Sequence, residues 1–345
     1  MTKVTTADEF VLQVRGLGVR YQTSQGTVHA VSDVSFEVRK NEVFGIAGES
    51  GCGKSTLIRA LLRLLPDNAD SAAELALYRD QDLYGLSDAD FRQNILWQEI
   101  SLVPQSAMNS LNPVYRVGDQ VVEAIRTHRR VSKAEARGRV AELFDVVGLQ
   151  ADLMQSFPHE FSGGMRQRAM IAMSLALDPG LIIMDEPTTG LDVLVQERIL
   201  RRIREIRSEI SSSIILITHD IAVIAEMSDR IAIMYGGQFM EQANAIDLFE
   251  NPYHPYTLGL KNAFPSIREL GSELISIPGS PPTLVGPVTN CPFQPRCPFH
   301  LDRCASENPL PINFGEDHQV RCFRSEDANQ LRHLAAEKST WRSLN

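Results

Sequence analysis

Long apolar runs are missing from this sequence. Its most apolar stretches, Ser213–Thr218 (SIILIT) and Gly180–Met184 (GLIIM), fall far short of the ~20 residues a membrane helix needs. Any membrane role is therefore expected to run through partners, with the chain itself soluble. The opening residues, MTKVTTADEF, carry no apolar core of the kind a signal peptide has, so none is expected. Cysteine is scarce: five in 345 residues, an odd number with Cys52 standing alone. That excludes a secreted disulfide scaffold. An excess of basic charge is also lacking. The 34 lysines and arginines face 43 acidic residues, a net charge of -9, which argues against a nucleic-acid binder. No internal repeat, long coiled-coil insertion or basic arm is visible.

What is present is core material. A hydrophobic fraction of 43% and a charged fraction of 22% are ordinary for a globular protein. The length suits one large domain with an extension, or two domains. Strand-like spacing covers residues 11–19 and 31–38, with Gly26 in the turn region. Val43–Ala47 (VFGIA) is a short buried-type strand leading into glycines, and a helix is expected over 56–65. Residues 75–98 are polar and mixed, with Ser87 as an N-cap. Residues 101–104 form another strand. Helices are expected across 117–147 with a break near 129–132, Ser132 capping the second, and after Gly164. The strands 181–184, 214–218 and 231–234 alternate with a helix over 195–210. That helix turns Ile199, Ile203, Ile206 and Ile210 inward and five arginines to solvent. The alternation implies a mainly parallel α/β sheet. Beyond about residue 250 the chain becomes proline-rich and reads as irregular.

Three motifs carry chemistry. GESGCGKST, Gly48 to Thr56, fits the phosphate-loop pattern and lies between a strand and a helix, as such a loop must. Gly48, Gly51 and Gly53, with Ser50, let backbone N–H groups turn toward phosphates at a helix N-terminus. Lys54 reaches the β- and γ-phosphates, Ser55 ligates Mg²⁺ and Thr56 follows it into the helix. LIIMDEP, Leu181 to Pro187, ends an apolar strand in two carboxylates. Asp185 is placed to hold Mg²⁺ and Glu186 to orient or deprotonate the attacking water. FSGGMRQR, Phe161 to Arg168, opens a helix with Ser162, Gly163 and Gly164, a second potential anion site.

One nucleotide does not need two cradles from one chain. At this point the sequence resembles the ATP-binding-cassette (ABC) ATPases, in which the signature tract of one subunit covers the nucleotide held by another. The usual tract is LSGGQ; here Phe161 and Met165 replace its ends. Further marks follow in family order: Gln105 in LVPQ resembles the glutamine that touches Mg²⁺ and water. Asp192 ends a TTGLD loop that resembles the dimer contact. His219 in ITHD resembles the switch histidine at the γ-phosphate, and Tyr21 the ring that stacks on adenine. The resemblance covers roughly 10–250. It implies an α/β P-loop fold with a RecA-like parallel core, an antiparallel β subdomain and a helical subdomain at about 105–168. Residues 1–250 are then the nucleotide-binding domain and 251–345 an irregular extension.

A narrower resemblance covers the tail. SAMNSLNPV, NPYHPYTLGL and PGSPP followed by CPFQPRC are similar to the dipeptide/oligopeptide importer branch. This branch also imports nickel and oligosaccharides. The resemblance implies the ATP-hydrolysing motor of an importer of dipeptides or oligopeptides, with oligosaccharides or nickel as the alternative cargo, working with a second ATPase chain (identical or a paralogue), two permease subunits and, indirectly, an extracytoplasmic binding protein. It places the chain on the cytoplasmic face of the cell membrane. A non-transport cassette ATPase and a stand-alone nucleotide switch are the competing classes; the first usually carries tandem cassettes, long coiled-coil insertions or basic arms, none visible in this acidic sequence, and the second has no use for a signature tract that works only in a dimer. Nucleic acid is not an expected partner.

Four of the five cysteines, Cys291, Cys297, Cys304 and Cys322, sit in the tail, with gaps of five, six and seventeen residues. A structural zinc site ordinarily has a closer pair, and four thiolates suit a cubane cluster. Some members of the branch carry an iron–sulfur cluster, which the resemblance extends to these positions. A [4Fe–4S] cluster, zinc and unligated thiols remain the three readings, with His300 and His318 as nearby alternative ligands. The prolines suggest a stiff loop with little core of its own.

Overall fold

A computed structural model describes residues 9–105, 110–209, 211–263, 276–315 and 317–342. The SAMN portion of the importer-like tract, residues 106–109, and Ile210 lie outside the described residues. The described chain divides into two compact units. The first takes residues 9–11, 38–43 and 82–217, the second 12–37, 44–81 and 218–342.

In the first unit three strands run parallel: Ile100–Val103, Leu181–Asp185 and Ser213–Thr218. Ile100 pairs with Leu181, and Leu181 with Ser213. Every residue of Leu181–Asp185 is buried, as expected for a strand covered on both faces. Helices Gly163–Ser174 and Val193–Glu209 belong to the same unit. Two further helices, Val117–His128 and Lys133–Val146, pack together. The first buries Val117, Val121, Val122 and Ile125, one helical stripe. The second begins at a complete capping box, Ser132 with Glu135, which satisfies two otherwise orphaned donors. At its other end Arg202 donates to the carbonyls of Asp145 and Val146, a cation at the negative helix terminus. Arg202 thus departs from the solvated role expected for the arginines of its helix.

The second unit contains most of a long hairpin, Phe10–Thr23 and Gly26–Arg39. Ala69–Ala72 and Leu75–Tyr78 pair antiparallel with its first strand. Leu75–Tyr78 thus forms a strand at the start of the segment expected to be polar and mixed. Val43–Ala47 runs parallel to Arg230–Tyr235, which turns at Gly236 and Gly237 into an antiparallel strand, Gln238–Asn244. The tail then extends this sheet: His318–Val320 pairs with Gln238–Asn244, and Ile312–Phe314 with His318–Val320.

The tail is less irregular than its prolines suggest. Pro255–Ala263 and Ala328–Ala335 are helices. Pro255 stands at the first helical position, where its missing N–H has no intrahelical role. The cysteine segment also has a core, contrary to expectation. Cys291, Phe293, Cys297, Phe299 and Cys304 are buried in one cluster with Tyr235, Tyr256, Leu331 and Trp341. The Tyr235, Tyr256 and Phe293 rings form a closed triad with centroids 4.7, 5.2 and 5.2 Å apart. Such pairs add about 0.5–1.5 kcal/mol each beyond area burial.

Candidate nucleotide site

The second unit carries the phosphate loop. Val43–Ala47 is entirely buried and delivers the chain to Gly48. A Cβ on Gly48 would stand 2.1 Å from the Met234 carbonyl oxygen, and one on Gly53 2.4 Å from that of Ala30. Both glycines also have positive φ, so neither position accepts an L side chain without displacing backbone. Helix Lys54–Leu61 begins at Gly53 with no side-chain cap. The positive end of a helix is a favourable place for an anion. The Lys54 ammonium is buried and donates to the carbonyls of Gly48 and Glu49 at 2.7 and 3.0 Å. Burial raises the thiol pKa of Cys52, against the opposing influence of Lys54, so this cysteine stays protonated in its packing position.

Ser55 and Thr56 are half-buried and Ser50 and Gly51 lie on the loop surface. Tyr21, half-buried on the first strand, has its hydroxyl 3.4 Å from the Thr56 hydroxyl. The structure thus brings the predicted base-stacking ring to the phosphate-loop helix. His219 is exposed in the turn after Ser213–Thr218. The following Asp220 caps helix Ile221–Met227 by accepting from the Ala222 and Val223 N–H groups.

The first unit carries the acidic strand end and the signature. Asp185 is buried, the last residue of its strand. Glu186 follows with φ +50, a strained conformation of the kind found at functional positions. Its N–H donates to the Ile217 carbonyl at 2.8 Å. Its carboxylate accepts from the Gln105 amide at 2.7 Å and from the Thr189 hydroxyl at 2.9 Å. Glu186 and Gln105 are therefore joined directly. Thr189 was not singled out from sequence; its place three residues after Glu186 in the TTGLD turn was the available signal.

Ser162 is exposed and caps helix Gly163–Ser174, its hydroxyl accepting from the Met165 N–H at 3.3 Å. Gly163 is half-buried and Gly164 buried. A Cβ on Gly164 would meet Val195 Cγ1 at 2.5 Å, so this glycine permits close packing against the next helix. Asp192 is the matching cap of helix Val193–Glu209, accepting from the Val195 N–H at 3.0 Å.

The four tail cysteines line one small cavity of ≈ 20 Å³, with His254 and Phe293 in its wall. Cys291 and Cys304 are also joined through the backbone, N–H to carbonyl at 3.1 Å. Burial pushes the thiols of Cys291 and Cys322 up to about 11 and about 12, and that of Cys297 well above its usual value. Among the described residues, no group of three or more His, Cys, Asp or Glu side chains stands arranged to hold a metal ion. His318 is engaged elsewhere, its Nε2 2.7 Å from the buried Glu241 carboxylate. His300 is turned to the Cys297 carbonyl.

Comparison with known proteins identifies the family. Residues 31–189 match the family described as ABC transporter. Residues 240–304 match the C-terminal region of oligopeptide/dipeptide transporters. The dipeptide transport ATP-binding protein DppD of Bacillus subtilis is 42% identical over 318 residues, 91% of this chain and 95% of that protein. The oligopeptide transport ATP-binding protein OppD of Escherichia coli is 43% identical, covering 91% and 93%. Among solved structures, cbiO1 of Clostridium perfringens, part of an ABC transporter complex, matches with a TM-score of 0.60 at 28% identity. That match covers 70% of this chain and 91% of cbiO1. The dimeric cassette MJ0796 matches with a TM-score of 0.61 at 24% identity, over 68% and 98%, and speaks to the fold alone. This chain belongs to the ABC transporter ATPases, with the C-terminal region of their oligopeptide/dipeptide branch.

Proposed function

We propose that this chain is the ATP-hydrolysing motor of an importer of dipeptides or oligopeptides. One observation carries the reading: the unit with the phosphate loop also contains a C-terminal region of the oligopeptide/dipeptide transporter type. Residues 1–250 are assigned to the nucleotide-binding domain, with its helical subdomain at about 105–168, and 251–345 to the extension. The motor works at the cytoplasmic face of the cell membrane, bound to two permease subunits. A second ATPase chain completes each nucleotide site, and a binding protein outside the membrane presents cargo to the permeases. No helix among the described residues is long and apolar enough to cross a membrane, which is consistent with a peripheral place in such a complex.

In this reading Tyr21 stacks on adenine, and the loop Gly48–Thr56 cradles the phosphates with Lys54 on the β- and γ-groups. Ser55, Gln105 and Asp185 offer the hard oxygen donors that suit Mg²⁺, which would neutralise phosphate charge when bound. Glu186 accepts the proton of the attacking water, held in place by Gln105 and Thr189. His219 meets the γ-phosphate. Ser162, Gly163 and Gly164 present their helix start to the nucleotide of a second subunit, with Asp192 in the contact loop. ATP-driven closure pushes on the permeases and hydrolysis resets them.

Cys291, Cys297, Cys304 and Cys322 are assigned as ligands of a structural metal group, [4Fe–4S] in preference to zinc. Four soft sulfur donors around one cavity, with no carboxylate in its lining, fit either group by donor chemistry. The cavity in its thiol form has room for about one water-sized sphere, so a cubane core would enter only with outward movement of the walls.

The decisive experiment is the composition of the complex purified from its native membrane. It should contain the ATPase chains with two permease subunits. Reconstituted, its hydrolysis should rise with peptide-loaded binding protein. Stimulation by an oligosaccharide or by nickel would reassign the cargo, and isolation with DNA or ribosomes would overturn the transport reading.

A further inference from the structure

Glu49 sits inside the phosphate loop, and a carboxylate there is a problem. The loop has to accept a polyanion, and an uncompensated negative charge beside it would repel the incoming phosphates. The structure compensates this charge from far along the chain. Arg296, in the short turn Gln294–Arg296 between Cys291 and Cys297, donates from Nη1 to Glu49 Oε2 at 2.8 Å. The arginine side chain is 7% exposed and the glutamate 26%. Nothing in the turn leaves the guanidinium free to wander. Its Nε donates to the Pro278 carbonyl at 2.7 Å, Nη2 to the Ile277 carbonyl at 3.3 Å, and Nη1 also to the Tyr235 hydroxyl at 3.2 Å.

The rest of Glu49 is equally constrained. Its N–H donates to the Tyr256 hydroxyl at 3.1 Å. Its carbonyl accepts from the Lys54 ammonium at 3.0 Å. One residue thus joins the C-terminal region, by side chain and by N–H, to the catalytic-loop lysine, by its carbonyl. Tyr235 and Tyr256, the two hydroxyl partners, belong to the same aromatic cluster as Phe293, three residues before Arg296.

We infer that Arg296 is a positioning residue for ATP binding: it neutralises and orients Glu49, and through Glu49 it sets the phosphate loop and its lysine. The inference rests on the reading of Gly48–Thr56 as the phosphate loop. It gives the C-terminal region a part in nucleotide binding that its distance in sequence hides. A planar, permanently charged fork suits this task, since it serves the carboxylate, two carbonyls and a hydroxyl at once. The turn that holds Arg296 also carries Cys297 at its end, so whatever fixes the cysteine segment fixes the clamp.

The test compares affinities for ATP and ADP, by fluorescence of labelled nucleotides bound to the full-length chain. Coupling between linked sites is typically ~5–150-fold, and Arg296→Gln should weaken ATP roughly tenfold by that measure. The loss should be smaller for ADP, which carries less charge. Glu49→Gln alone should raise ATP affinity, because it removes the repelling charge while its amide oxygen can still accept from Arg296. Arg296→Gln combined with Glu49→Gln should recover most of the lost affinity. A purely structural strap predicts a different pattern: both single variants weaken ATP and ADP alike, and the double variant is no better. That pattern overturns the inference. If Arg296→Gln does not fold, Glu49→Gln still separates the two by the sign of its effect. Lys54→Ala serves as the control. If it fails to weaken ATP, the phosphate-loop reading is wrong; if it weakens ATP while Arg296→Gln does not, the clamp alone is wrong.

Discussion

The Gln105 side-chain amide donates to the Glu186 carboxylate across 2.7 Å, joining residues 81 apart in sequence. The Thr189 hydroxyl holds the same carboxylate oxygen. A general base gains from such fixing, because its lone pair must meet one water in one orientation. Glu186→Gln should therefore retain ATP and hydrolyse it slowly, by the ~10²–10⁴ factor typical of a lost base. Steady-state turnover and retained nucleotide in the assembled complex measure both. Near-normal turnover would remove Glu186 from the catalytic role. Thr189→Ala should lower turnover less and leave ATP affinity intact.

Ser162 separates two roles of the signature helix. Ser162→Ala loses the cap to Met165, a change worth about 0.5–2 kcal/mol of stability. Ser162→Arg adds bulk and charge where a second subunit must approach. It should leave ATP binding to the same chain's phosphate loop intact while blocking hydrolysis by the pair. Mixed complexes with one altered subunit are the assay. A defect confined to the altered chain's own loop would contradict a composite site.

Tyr21 offers a ring and a hydroxyl, and the two can be told apart. Stacking uses a face that every base has, so ATP and GTP should differ little. Tyr21→Ala should weaken both nucleotides and Tyr21→Trp should preserve binding. Tyr21→Phe loses only the contact with Thr56 and should bind nearly as the parent does. Equal affinity in the alanine variant would leave Tyr21 as a packing residue.

His254 links the fold of the second unit to pH. It is buried, and its Nδ1 accepts from the Tyr256 N–H at 3.0 Å. Burial lowers its pKa to about 3 from an ordinary value of 6.5. A depressed folded pKa means that the unfolded chain takes up the proton first. The resulting stability is complete above 6.5 and is lost as pH falls toward 3. Each unit is worth about 1.36 kcal/mol, so roughly 2 kcal/mol should disappear between pH 6.5 and 5. His254→Asn keeps an acceptor but cannot titrate. Its urea stability should fall less steeply over that interval, and an identical slope would refute the assignment.

The nucleotide motifs were legible because each is local. A glycine loop, a strand ending in carboxylates and a capped helix announce themselves within nine residues, and all three stand on the elements expected. The short strands Ala69–Ala72 and Leu75–Tyr78 were not legible. Their residues gain strand geometry from pairing with Phe10–Thr23, and tertiary pairing of this kind overrides a weak local pattern. The helix Pro255–Ala263 was hidden by prolines read as breakers. Arg296 was hidden by distance: its bond to Glu49 spans 247 positions, and no periodicity encodes such a contact. The buried state of the cysteine segment was missed for the same reason, since its core partners Tyr235, Tyr256 and Leu331 lie far along the chain on either side.

The cysteine cavity makes the last prediction sharp. Its thiols are held protonated by burial, at about 11 for Cys291 and about 12 for Cys322. Thiolate ligation must therefore release protons and displace them from an apolar pocket. Binding of a metal group there should couple strongly to the stability of the surrounding core, which includes Phe293 and Phe299. Anaerobic purification from iron-replete cells should give a brown protein with about four irons per chain, as four-cysteine ligation of a cubane implies. Cys297→Ser should lose the colour and lower the melting temperature. Because Cys297 closes the turn that carries Arg296, it should then weaken ATP, and less than Arg296→Gln does, since the guanidinium keeps its carbonyl partners. Zinc at one per chain without iron would replace the cluster by the alternative metal. Neither metal, with melting and ATP affinity unchanged in Cys297→Ser, would leave the four thiols, three buried and Cys322 half-buried, as packing residues and nothing more.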